Sequence, residues 1–385
     1  MGRNFWAEIN LDHLAANVQN LKRAAGDAGL MAVVKANAYG HGARRVARVA
    51  VDCGAKALGV ALLEEGTDLR AAGFSLPILV MGLMPPDRAD LVAMADLSVC
   101  VCNREAALAL SEAAVRNEKK IQVHVKVDTG MGRLGISPDD SGVDYVKWLQ
   151  GLPGVKIAGI FTHFATADEA DKSFAWQQYK IFKDFTDGVA ACGLEIPLRH
   201  AANSAALLDL PETHLDMVRP GISLYGLYPS EHVSRDIKLR PVMSLVGNVS
   251  FVKRVPQGTT VSYGACYSSP QEENLATLPA GYADGFCRSN SPVGTVLIGG
   301  KRRRIAGKIC MDQFVVSCGD DDILPGDEFV VMGNQGEERI GADELAERIG
   351  SINYEIICMV GGRVPRRYQS GGQLIAEEYL AWGKA

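Results

Sequence analysis

No stretch of this chain approaches the roughly 18 consecutive apolar residues that a membrane helix needs, and its opening, Met1-Gly2-Arg3-Asn4-Phe5-Trp6, contains no apolar signal core. Trp6 stands where N-myristoylation requires Ser or Thr. The expectation is a cytoplasmic protein with no membrane partner. The nine cysteines include no CxxC pair, which argues against a zinc site or a disulfide framework and for reduced thiols. Excess positive charge is also missing. A net charge of −5 and a pI near 5.9 exclude sequence-independent nucleic-acid binding, which depends on neutralising many phosphates. The basic run Lys301-Arg302-Arg303-Arg304 follows Gly299-Gly300 and reads as a solvated hairpin tip.

What is present is an ordinary globular composition, 47 % hydrophobic and 22 % charged over 385 residues, enough for a sizeable core and for two domains. Short β-branched runs alternate with amphipathic helical patterns over the first part of the chain, the mark of βαβ units. The strands are expected at 31–35, 57–61, 78–82, 98–102, 122–127, 157–162, 198–202 and 217–223. Between them lie helices such as 11–24, with Leu11, Leu14, Val18 and Leu21 on one face, and 173–185. Eight strands with intervening helices predict an α/β fold, a (β/α)8 barrel of the TIM type at 11–238. A doubly wound sheet is the alternative, but no GxGxxG follows the first strand. Beyond 238 the pattern turns to glycine-punctuated alternation, with strands expected at 243–255, 259–263, 275–279, 295–298, 304–309, 313–317 and 328–332 and helices at 343–349 and 352–359. Residues 1–10 and 239–385 are therefore assigned to a mostly β domain.

A lysine ends the first apolar run: Met31-Ala32-Val33-Val34-Lys35-Ala36-Asn37-Ala38-Tyr39-Gly40-His41-Gly42. Desolvation at the mouth of a buried strand disfavours the ammonium and frees the amine as a nucleophile or base, as imine chemistry requires. The plain alternative is a strand-end lysine reaching for solvent. In a barrel the active site lies at the C-terminal strand ends, and there the sequence gathers Lys126 to Arg133, His163, His200 to Ser204, and Arg219 to Ile222. Ser204 with the amides of Gly221 and Ile222 resembles a phosphate site. Each has a structural reading too: Ser204 as a helix N-cap, His163 as a core histidine, Arg219 in a salt bridge. No histidine pair sits at metal-ligand spacing, so no metal is expected.

The segments AVVKANAYGHG at 32–42, KVDTGMGRLG at 126–135, THFATADE at 162–169, HAANSAA at 200–206, VRPGISLYG at 218–226, VSYGACY at 261–267, LPAGYADGF at 278–286 and GKICMDQF at 307–314 together resemble bacterial alanine racemase. The resemblance implies pyridoxal 5'-phosphate (PLP) as cofactor, and interconversion of L- and D-alanine that supplies D-alanine for peptidoglycan. It assigns Lys35 the cofactor and the D-side proton, and Tyr263 the L-side proton. Tyrosine, with an ordinary pKa of about 10, needs neighbours that stabilise its phenolate, and the resemblance supplies His163 and Arg133. It places Arg219 against the pyridine nitrogen, with His200 orienting it. Tyr39, Ser204, Gly221, Ile222 and Tyr354 match phosphate-binding positions, and Arg133 and the Met311 backbone match those for the substrate carboxylate. Lys126 aligns with a lysine that is carbamylated in many of these enzymes, an unmodified amine being the alternative. Tyr263, Met311 and Asp312 would reach the Lys35 site of a second subunit, making a homodimer with composite sites. A serine or broad-specificity amino-acid racemase is the rival reading. The stretch GGRVPRR at 361–367 departs from the family pattern and is expected to touch no motif position.

Overall fold

The computed structural model describes residues 4–379, which divide into two compact units. One comprises residues 14–38 and 43–240; the other comprises residues 4–13, 39–42 and 241–379.

The first unit is the expected barrel. Its eight parallel strands are Gly29–Val33, Ala57–Val60, Ile78–Val80, Ser98–Val101, Ile121–Lys126, Val155–Phe161, Arg199–His200 and Met217–Val218. They pair in sequence order, and the eighth returns to pair with the first. Strands seven and eight share no ladder, but the amides of Asp216 and Arg219 donate to the carbonyls of Arg199 and Ala202, at 3.1 and 2.9 Å, and nearly close the ring. Several of the short inner strands are wholly apolar because both faces are covered; Ala57 to Val60, for example, are all buried. Inside, Met31, Ala57, Leu79 and Met217 form one packed cluster. Outside, helix Leu11–Ala25 buries Leu14, Val18, Leu21 and Ala25 along one stripe. The last expected strand stops at Val218, because Pro220 has no N–H for a ladder and a 3-10 turn, Ile222–Tyr225, follows.

In the second unit, Phe5–Asn10 lies between Met243–Asn248, antiparallel, and Arg366–Ser370, parallel. Glu328–Gln335, Thr295–Ile298 and Lys301–Arg304 extend this sheet on one side and Gln373–Glu378 on the other. A three-stranded sheet of Phe251–Val255, Glu273–Leu278 and Phe314–Gly319 stands beside a two-stranded ribbon. The run expected at 243–255 is thus two strands in different sheets. Of the segment expected as a strand at 304–309, Arg304 ends the strand Lys301–Arg304 and Ile305 keeps a single bridge. The basic run is a strand of the hairpin rather than its tip. Three of its four charges are paired in place: Arg302 pairs with Glu338 and Glu344, and Lys301 and Arg303 pair with Asp321.

Candidate active site

Lys35 begins a segment whose backbone is left-handed. Ala36, Asn37, Ala38 and Tyr39 have φ of 51°, 52°, 54° and 51°, a conformation costing L-residues roughly 1–2 kcal/mol each. Local hydrogen bonds hold it there. The Asn37 side chain accepts the Ala43 N–H at 2.8 Å. The Glu65 carboxylate accepts the N–H groups of Ala36, Ala61 and Leu62, tying the ends of the first two barrel strands together. In the β-rich unit the buried Arg366 donates to Gly40 O at 2.9 Å. Gly42, at φ +100°, admits no side chain: a Cβ there would lie 1.9 Å from the Tyr368 hydroxyl.

Arg219 sits almost fully buried, 4 % exposed, at the end of strand eight. Its Nη2 donates to Thr162 O and Ala201 O, at 2.7 and 3.0 Å, and its Nη1 donates to His200 Nδ1 at 3.1 Å. No carboxylate pairs with it among the described residues, so it is no ordinary salt bridge. Burial pulls the guanidinium down to about 9. Because arginine only donates, His200 Nδ1 must accept, and its proton lies on Nε2. That nitrogen lies 2.8 Å from His124 Nδ1, which accepts in turn. One proton arrangement satisfies the row. His200 is stacked flat on Phe161, 4.9 Å away.

Sequence reasoning missed His124, although it stands two residues before Lys126 in one strand and so shares its face. Lys126 Nζ donates to Val127 O at 2.9 Å and lies over the Phe161 ring. Burial, then Arg219, pulls this amine down to about 8. Burial, then Arg219, holds His163 at about 3, a neutral ring, and Lys126, Arg133 and Lys35 push the same way. The strand ends thus form a cationic basin. Buried Gln178 fixes the loop carrying His163, accepting the Ala165 N–H and donating to His163 O. In the loop bearing Arg133, Asp128 accepts the N–H groups of Gly130 and Gly132, both at 3.0 Å.

Ser204 is not the helix cap; Asn203 takes that role through Ala206 N. The Ser204 hydroxyl instead accepts the N–H of Gly221 at 2.9 Å and of Ser223 at 3.4 Å. Ile222 opens a 3-10 turn, so its own N–H has no partner within that turn. In the β-rich unit the Tyr39 and Tyr354 rings approach to 6.3 Å. Tyr263 stands in a 3-10 turn with its side chain 71 % exposed, and Met311 is 51 % exposed. GGRVPRR does touch motif positions, contrary to expectation: Arg366 binds Gly40, and Arg363 binds Asp312.

No group of three or more metal-ligating side chains exists among the described residues. None of their helices is long and apolar enough to cross a membrane. Residues 9–229 match the family model "Alanine racemase, N-terminal domain" and residues 242–368 match "Alanine racemase, C-terminal domain". The alanine racemase of Clostridium novyi is 43 % identical over 97 % of this chain and 97 % of its own. Among solved structures, Clostridium difficile alanine racemase shares 39 % identity with TM-score 0.95, covering 99 % of this chain and 100 % of that one. Bacillus anthracis alanine racemase with bound L-Ala-P shares 37 % with TM-score 0.94, covering 98 % of each. With both of its units matched and its basic strand ends in place, the chain belongs to the alanine racemase family, a family of amino-acid isomerases.

Proposed function

We propose that this protein interconverts L- and D-alanine with PLP, using Lys35 for the D-side proton and Tyr263 of a second subunit for the L-side proton. The observation that carries the reading is Arg219. Its Nε–H and one Nη1–H have no protein acceptor among the described residues, although the group is buried. A donor set left over at that depth suits a ring nitrogen acceptor. The basin also suits a phosphate, because the Ser204 O–H and the Ile222 N–H are polar donors there, the Gly221 N–H holding the Ser204 hydroxyl in place. The residues present therefore fit the cofactor.

Bound there, PLP supplies the electron sink that makes an amino-acid Cα–H removable. Arg219 gives up a proton reluctantly even at about 9, so it would hold the ring nitrogen by a hydrogen bond without protonating it. That restrains charge delocalisation and side reactions. Lys35 removes or returns a proton on one face. Tyr263, an exposed residue, serves the other face in a homodimer. His163, held neutral, is a hydrogen-bond partner for that phenol, and Arg133 holds the substrate carboxylate with the Met311 N–H. Tyr39 and Tyr354 complete the phosphate contacts, and Asp312 supports the loop. The Lys126 amine, lowered to about 8, is partly unprotonated near neutrality and so able to take up carbon dioxide; the resulting carbamate would hold Arg133. D-alanine made this way serves peptidoglycan synthesis. The solved complex of a relative, Clostridium difficile alanine racemase, with cycloserine, a molecule of amino-acid size, supports an amino-acid-sized pocket.

The test is Tyr263→Phe in the holoenzyme. Racemisation should fall by orders of magnitude while D-alanine still exchanges its α-hydrogen with solvent. Equal loss of exchange from both enantiomers contradicts the assignment, and faster turnover of L-serine than of L-alanine by the unmodified enzyme favours the rival specificity.

A further inference from the structure

We infer that Arg363 is a positioning residue that fixes the loop presenting the Met311 N–H to the substrate carboxylate; this rests on the reading above. The loop Cys310 to Gln313 lies against the backbone of Gly281 to Gly285. Tyr282 N–H donates to Cys310 O and Ala283 N–H to Met311 O, each at 3.1 Å. The approach is so close that a Cβ at Gly281 would fall 2.3 Å from Met311 O. The carbonyl of Cys310 and the N–H of Met311 share one trans peptide plane and point in opposite directions. Holding that carbonyl therefore aims the N–H away from the Gly281 to Gly285 backbone. No acceptor for the Met311 N–H exists among the described residues.

Arg363 secures this arrangement from the side. Its Nε donates to the buried Asp284 at 2.8 Å, and its Nη2 donates to Asp312 at 2.7 Å and toward Met311 O at 3.4 Å. The other oxygen of Asp284 accepts the Gly281 N–H at 2.8 Å. A single guanidinium thus links the anchor of one loop to the carbonyl and side chain next to the donor on the other. Stability alone does not explain the outer arm. Asp312 is 62 % exposed, and exposed pairs of that kind contribute little. The fork geometry that spans two carboxylates is specific to arginine.

The experiment compares wild type, Arg363→Leu and Arg363→Lys as holoenzymes, measuring kcat and KM for both alanine enantiomers, inhibition by propionate, the cofactor absorbance and the thermal midpoint. Arg363→Leu should raise KM and the propionate inhibition constant together by about tenfold, the loss of roughly one well-aimed hydrogen bond to a charged group. The kcat and the cofactor absorbance should stay within about threefold and unchanged, respectively, since neither base nor the cofactor is touched. Arg363→Lys should recover only part, a point charge being unable to bridge. Should Arg363→Leu fail to fold, Asp312→Ala removes the outer arm alone and should still raise both constants. Unchanged KM and propionate inhibition, or a fall confined to kcat, overturns the inference. A wild type that does not racemise alanine overturns instead the function proposed above.

Discussion

The left-handed turn after Lys35 makes a stability prediction whose sign is opposite to the usual rule for glycine. Ala36 has φ 51°, and its methyl is exposed, so removing it forfeits no packing. Ala36→Gly relieves roughly 1–2 kcal/mol of left-handed crowding and adds roughly 0.5–1 kcal/mol of chain entropy to be lost on folding. The balance is a stabilisation of about 0.5–1 kcal/mol, or about 0.6–1.2 °C in midpoint for a chain of 385 residues. Ala16→Gly, in the middle of right-handed helix Leu11–Ala25, should lower the midpoint instead. Thermal unfolding of both variants followed by circular dichroism makes the comparison under one condition. A lower midpoint for Ala36→Gly would mean that the segment is right-handed or unstrained, and the account of its hydrogen bonds to Asn37 and Glu65 as restraints would fail with it.

Ser204→Ala removes the hydroxyl that accepts the Gly221 N–H. PLP affinity should drop about tenfold with kcat little changed at saturation, read by titrating the apoprotein with PLP; unaltered affinity would remove Ser204 from the phosphate site. Burial, then Arg219, keeps His124 at about 4, against about 6.5 in an unfolded chain. Between those values the unfolded state binds more protons, so His124 contributes stability above about pH 6.5 that is lost as pH falls towards 4, up to roughly 3 kcal/mol. His124→Asn keeps an acceptor for His200 while removing that titration, and should flatten the acid limb of stability against pH measured by urea unfolding. An acid limb identical to wild type would show that His124 titrates normally.

Much of the barrel was legible because a parallel strand covered on both faces must be apolar, and its helices must carry a 3.6-residue stripe. The strand-end positions of Lys35, Lys126, His163, Ser204 and Arg219 could be read for the same reason, since each lies at or just beyond the end of a barrel strand. What failed was local where tertiary pairing decides. Residues 243–255 looked continuous, yet the two halves belong to different sheets. The run 301–304 looked like a tip, yet strand Thr295–Ile298 and the acidic partners Asp321, Glu338 and Glu344 make it a strand.

Other features had no sequence signature at all. Four consecutive left-handed residues, two of them alanine, run against the preference of all but Asn37, and the Glu65 carboxylate that helps to hold them lies 29 positions away in sequence. Arg363 was read as remote because its partners, Asp284 and Asp312, are 79 and 51 positions away. Sequence alone determined which residue types meet at the strand ends, because the periodicity and apolar content of a run are properties of the segment itself. The tertiary structure decided which of them are oriented, charged or neutral, because hydrogen-bond direction and desolvation depend on neighbours that the chain supplies from elsewhere.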